Sequence, residues 1–205
     1  SLDGLGGGPT GQEGRYKLGT QLVTSESATR RLLGVDPGLN ITGYGVIEVG
    51  TASGSMTLPG KVRLIEAGII RSKPKDSIEA RLGEIHSGLR EVIETHKPDV
   101  MALEQLFSHY ERPRTAILMG HARGVICLAA AQSNMKVLHF EPTRVKKVMT
   151  GNGHAPKHQI QLAVKIQLGL ATLPEPADVS DALAIALCGY HLGDETSMSA
   201  LTKSS

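Results

Sequence analysis

Residues 31–49, RLLGVDPGLNITGYGVIEV, carry the reading that decides the fold. Leu32, Leu33 and Val35 form a short apolar run that stops at Asp36, and such a run bounded by turn residues reads as a buried strand. Pro37 has no N–H for a ladder and Gly38 tolerates a tight turn, so the strand ends at the carboxylate. GLN turns the chain, and TGYGVIEV reads as a second strand. After the turn-rich stretch 50–60, KVRLIEAGIIRS reads as a third, completing an antiparallel meander. Asp36 then lies at a strand end, where sites on open sheets gather. D-P-G is also an ordinary turn signal, so this carboxylate means chemistry only in company.

The company comes downstream. Ile78, Leu82, Ile85, Leu89, Val92 and Ile93 recur at helical spacing, and Lys97-Pro98 closes that helix. PDVMALEQ is a short apolar strand carrying Glu104. From Thr115 to Gln132 the chain is apolar on nearly all sides, as in a buried helix. KVLHFEP is another strand, Pro142-Thr143 opens a short helix, GNGHAP is a loop, and helices are expected over 157–168 and 179–191. Strands first, then strands alternating with helices, give an α/β protein with a mixed sheet flanked by helices. Residues 1–30 lack hydrophobic periodicity and read as a disordered N-terminal extension. Residues 193–205 are polar and read as a flexible C-terminal tail. One folded domain, 31–192, lies between them.

Composition excludes several classes. No apolar run approaches the roughly 18 residues of a membrane span, and no basic stretch followed by an apolar one marks a secretory leader. Cys127 and Cys188 sit in apolar helical contexts and read as buried free thiols. A cytoplasmic protein is expected. The net charge of +2 is too mild to argue for nucleic acid, but its distribution says more. Between Arg144 and Lys165 stand Arg144, Lys146, Lys147, Lys157, Lys165, His154 and His158 without one acid, which favours a phosphate-facing strip over a solvated helix face. The histidines show no zinc-like spacing.

Asp178 and Asp181 stand three apart in PADVSDALAIALC, so on a helix they share one face. Capping and dipole complementation account for Asp178. They account less well for Asp181, which leads into the apolar run. Carboxylates at strand ends are costly to bury unless they are paired or bind a cation. Two strand carboxylates and a helical Asp-x-x-Asp are what a two-metal phosphodiester-cutting site needs. Two Mg²⁺ ions about 3.5–4 Å apart neutralise the phosphate, generate hydroxide and stabilise the leaving 3′ oxygen. In that scheme Asp36 bridges both ions, Glu104 and Asp181 complete the separate shells, and Asp178 ligates an ion or orients the water.

LLGVDPGLNITGYGVIE, ALEQLF, TAILMGHARG, VKKVMTGNGHAPKHQIQ and PADVSDALAIALC together make the stretch from Arg31 to His191 resemble the RuvC family of Holliday junction resolvases. The resemblance implies an RNase H-like fold with a mixed five-stranded sheet, and a homodimer that cuts four-way junction DNA. It implies Mg²⁺, with Mn²⁺ able to substitute, and a branch-migration partner of the RuvA–RuvB type. It places the acidic quartet on Asp36, Glu104, Asp178 and Asp181, and DNA contacts on Lys146 and Lys157. It makes Phe107 a candidate for stacking on an unpaired base, with core packing the alternative. Two departures stand out. FSHYERPRTA lacks a second aromatic directly after the first, leaving Tyr110 either to compensate or to stand as a surface residue, and Pro156 precedes Lys157, which bears on where that lysine points. Two symmetric cuts require two sites, which a C2 dimer supplies; the helix over 115–132 is a candidate for its surface, with domain core the equal alternative.

Three rival readings fit the residues less well. An actin-like or sugar-kinase-like ATPase needs a second phosphate loop and an adenosine motif, and neither is found. A junction-binding scaffold would have lost a carboxylate. A nuclease of another substrate class on the same fold would not need VKKVMTGNGHAPKHQIQ.

Overall fold

A computed structural model describes residues 29–50, 62–106 and 113–201. The meander of strands β1 (Thr29–Asp36), β2 (Ile41–Gly50) and β3 (Val62–Arg71) is followed by helix α1 (Ile78–His96) and strand β4 (Val100–Glu104). Helix α2 (Pro113–Gln132) leads to strand β5 (Lys136–Phe140), and helices α3 (Pro142–Thr150), α4 (Lys157–Leu168) and α5 (Ala177–Leu201) complete the chain. The sheet order is β3-β2-β1-β4-β5. β1 pairs antiparallel with β2 and parallel with β4, and β4 pairs parallel with β5. This is the mixed five-stranded sheet that the pattern predicts.

β1 is central, so both of its faces are buried, which is why it reads as a continuous apolar run. Leu32 faces a core shared with α3, α4 and α5, and its neighbours Leu33 and Val35 belong to a second core shared with α1 and α2. Seven consecutive residues of α5, Ala182–Cys188, are buried. Each of Leu183, Ile185 and Leu187 contributes about 2 kcal/mol by leaving water. α1 starts on the Ser77 hydroxyl, which accepts from the N–H of Ala80 at 3.3 Å. It ends at Lys97, held left-handed at φ 47° just before Pro98, as the Lys97-Pro98 signal predicts.

Three expectations are corrected. α2 is not buried on all sides: Ile117, Leu118 and Leu128 are exposed, because only one face of a helix laid on a sheet can reach the core. The last helix does not stop at His191 but continues to Leu201; residues 194–201 contain neither Gly nor Pro, and propagating a formed helix is far easier than starting one. β1 also reaches back to Thr29, which pairs with Gly50. Both cysteines are free, as expected; Cys188 is buried, but Cys127 is only half-buried, against the expectation for it. Among the described residues no helix is long and apolar enough to cross a membrane.

Candidate active site

Parallel pairing sets Asp36 beside Glu104. Val35 on β1 is level with Leu103 on β4, so the two carboxylates leave the ends of adjacent strands side by side. The turn after Asp36 is tied down from several sides. Thr42 Oγ1 donates to the Gly38 carbonyl at 2.7 Å and Ser72 Oγ to the Leu39 carbonyl. Arg81 reaches from α1 to Asn40 Oδ1 and to Ser72 Oγ. Reading the sequence missed Ser72 and Arg81. No local signal marks them, since their partners lie 33 and 41 residues away.

Asp178 and Asp181 arrive because α5 lies unusually close to the sheet. A side-chain carbon at Gly34 would fall 2.1 Å from the Ala182 carbonyl oxygen, and one at Gly43 would fall 2.2 Å from that of Asp178. Only glycine at both positions lets the first turns of α5 rest on β1 and β2. Asp181 turns to a cleft of about 290 Å³ lined by Glu104, Lys146, Lys157, Val145 and Ile160 among others. Lys157 Nζ donates to Asp181 Oδ2 at 2.7 Å, and this ion pair raises the lysine pKa further. Pro156 takes extended dihedrals at the N-cap and leaves Lys157 as the first residue of α4, aimed at the carboxylates.

The basic strip expected between Arg144 and Lys165 is not one surface. Lys146 and Lys157 face the carboxylates, Arg144 and Lys147 line a separate groove beside Leu192, and Lys165 lines a third hollow with Leu64 and Leu170. The helices over 142–150 and 157–168 send residues three apart to one side and their neighbours to others. Phe107 and Tyr110 lie outside the described residues.

Burial, and then the negative charge of Glu104, Asp181 and Asp178, push the Asp36 pKa up to about 8. Burial, and then Asp181, push Glu104 to about 7 against the opposing pull of Lys146 and Lys157. No described residue donates a hydrogen bond to either side chain. Two half-desolvated carboxylates in mutual repulsion lack positive charge. The donor set is all oxygen, as Mg²⁺ prefers, so the residues present fit a divalent ion. Among the described residues no three His, Cys, Asp or Glu side chains stand ready to grip an ion together. With Lys157 laid on Asp181, an ammonium supplies part of the charge that a metal would bring.

Carboxylates on two adjacent parallel strand ends and on a helix crossing them, beside two lysines, make a candidate phosphodiester-cutting nuclease site on an RNase H-like sheet. The family model described as crossover junction endodeoxyribonuclease RuvC matches residues 32–189. The crossover junction endodeoxyribonuclease RuvC of Rhodopirellula baltica is 61% identical over 178 residues, 86% of this chain and 96% of that one. That of Desulforamulus reducens is 42% identical over 157 residues, 77% of this chain and 91% of that one. The structure of Thermus thermophilus RuvC in complex with a Holliday junction substrate superposes with a TM-score of 0.72 at 30% identity, covering 82% of this chain and 96% of that one. The chain belongs to the RuvC family of Holliday junction resolvases.

Proposed function

We propose that this chain resolves four-way DNA junctions by paired, symmetric strand nicks, leaving 5′-phosphate and 3′-hydroxyl ends. The observation that carries the reading is the convergence of Asp36, Glu104, Asp178 and Asp181 next to Lys146 and Lys157. Two Mg²⁺ ions, replaceable by Mn²⁺, would be held by Asp36, Glu104 and Asp181, with Asp178 completing the set. When bound, they supply the charge that lets water attack an anionic phosphate. The chain's own residues prepare for this. The raised pKa values of Asp36 and Glu104, about 8 and about 7, make protons compete with a cation for these carboxylates near neutral pH. Lys157 has an exposed, flexible stem (55% exposed), so it can leave Asp181 for a DNA phosphate. Lys146, across the cleft, binds the backbone and makes affinity salt-dependent. Phe107 stacks on an unpaired base at the crossover. The chain works in the cytoplasm beside a branch-migration complex of the RuvA–RuvB type.

The test is cleavage of a labelled four-way junction against a linear duplex of the same sequence, in Mg²⁺ and in Ca²⁺. Religatable symmetric nicks on the junction, in Mg²⁺ alone, are expected. Binding without cutting in Mg²⁺ would leave a scaffold, and equal cutting of the duplex would remove the substrate class.

Symmetric nicks need two sites, and the exposed side of α2 is where a second copy fits. Ile117 and Leu128 are 61% and 50% exposed. They are eleven residues apart, about three helical turns, and so share a face. Charging that face with Leu128→Glu is expected to shift the chain from dimer to monomer in sedimentation while its unfolding temperature stays within a few degrees, since that side chain is outside the domain core. A monomeric wild type would sink this assignment.

A further inference from the structure

Glu104 ends β4, and its own carbonyl lacks a partner in the sheet. The N–H of Gln105 donates to the Phe140 carbonyl on β5 at 2.8 Å. The trans peptide joining residues 104 and 105 therefore turns the Glu104 carbonyl the opposite way, towards β1. There the last registered pair is Val35 with Leu103. The next donor of a parallel ladder would come from the residue after Asp36, and Pro37 has no N–H. The proline that ends the first catalytic strand thus leaves the second one short of a hydrogen bond.

Arg123 on α2 supplies it. Its Nε donates to the Glu104 carbonyl at 3.2 Å, and its Nη2 donates to His139 Nδ1 at 2.7 Å. His139 lies on β5, level with Leu103. The guanidinium is half-buried over the strand ends and the imidazole sits at the surface. Partial desolvation, and then the Arg123 charge, lower the His139 pKa, which favours the neutral ring that accepts at Nδ1. A planar fork held at two points is pre-organised in a way that a single ammonium is not.

We infer that Arg123, oriented by His139, is a positioning residue for Glu104: it replaces the donor that Pro37 cannot provide and fixes the strand end from which the carboxylate projects. This rests on the reading of Glu104 as a metal ligand. Partners that orient a ligand change metal affinity by about 10- to 100-fold when lost. Arg123 is half-buried and His139 exposed, so a metal-binding effect and a loss of fold are separated by measuring the unfolding temperature alongside affinity.

The experiment is Mn²⁺ binding to the full chain without DNA, followed by the electron paramagnetic resonance of free Mn²⁺, together with unfolding temperature in chelator. Arg123→Met is expected to weaken Mn²⁺ about tenfold or more. His139→Leu is expected to weaken it by a smaller factor at unchanged unfolding temperature. His139→Gln, whose amide oxygen still accepts from the guanidinium, retains wild-type affinity. Glu104→Gln is the control. If it weakens Mn²⁺ while Arg123→Met and His139→Leu bind like wild type, the positioning role is overturned and the ligand role stands. If Glu104→Gln itself binds like wild type, the ligand role is overturned and the positioning role with it. Should Arg123→Met fail to fold, the surface variant His139→Leu decides: weaker binding sustains the inference, and unchanged binding ends it.

Discussion

Asp36→Asn is expected to lower junction cleavage by about 10³-fold or more while making the metal-free protein more stable at alkaline pH. The first effect follows from the site. A neutral amide cannot hold a cation as a carboxylate does, and 10³-fold corresponds to about 4 kcal/mol of lost transition-state stabilisation. The second follows from linkage. The carboxyl sits at about 8 in the folded chain against 3.8 for the free group. Its contribution to stability is therefore fully present below the ordinary carboxylate range and is lost as pH rises towards and through 8. Asparagine has the same shape and no charge to lose. The variant and the wild type are expected to unfold together near pH 4, diverge above it, and differ by about 2–4 kcal/mol at pH 8.5, the scale of a partly relaxed buried charge.

Divalent metal reverses this ranking. Ligand that binds only the folded state stabilises it by mass action, so Mg²⁺ is expected to raise the unfolding temperature of the wild type and not of the variant. The same proton competition makes wild-type cleavage at limiting Mg²⁺ rise between about pH 6 and 8, with Glu104 near 7 and Asp36 near 8. Thermal melts with and without Mg²⁺ at pH 5, 7 and 8.5 check both signs. A variant less stable than wild type at pH 8.5 without metal would show that Asp36 is not a strained carboxylate, and cleavage near the wild-type rate would remove it from the chemistry.

Gly34→Val carries the largest expected cost to the fold itself. The added carbon would meet the Ala182 carbonyl oxygen at 2.1 Å and the Ala186 nitrogen at 2.6 Å. Both are backbone atoms of a helix buried along Ala182–Cys188, so no side chain can swing aside. α5 must lift from β1, which both loosens the core and withdraws Asp178 and Asp181 from Asp36. Overpacking of this kind is expected to cost about 4 kcal/mol or more, a fall of about 10 °C or more in unfolding temperature for a chain of this size. Gly34→Ala, carrying the clashing carbon alone, is expected to fall between the two. Denaturant unfolding checks this; a valine variant within about 1 kcal/mol of wild type would mean that α5 is not seated as described.

Most elements and the four candidate acids could be read from local sequence alone. Asp36 was legible because Pro37 and Gly38 end a strand at a polar residue, and Glu104 because it closes an apolar run of four. Asp178 and Asp181 were legible because a spacing of three puts them on one side of a helix. These signals are local, arising from backbone sterics and hydrophobic period. How they meet depends on contacts distant in sequence. The parallel register of Val35 with Leu103 sets two strand ends level, and the close seat of α5 on Gly34 and Gly43 adds the helix pair. The tertiary structure also divided the basic strip among three surfaces, left one face of α2 in solvent, and brought Arg123 to the carbonyl of Glu104. Nineteen residues separate those two, and the reason they bond, a proline just past the end of β1, is not local to either.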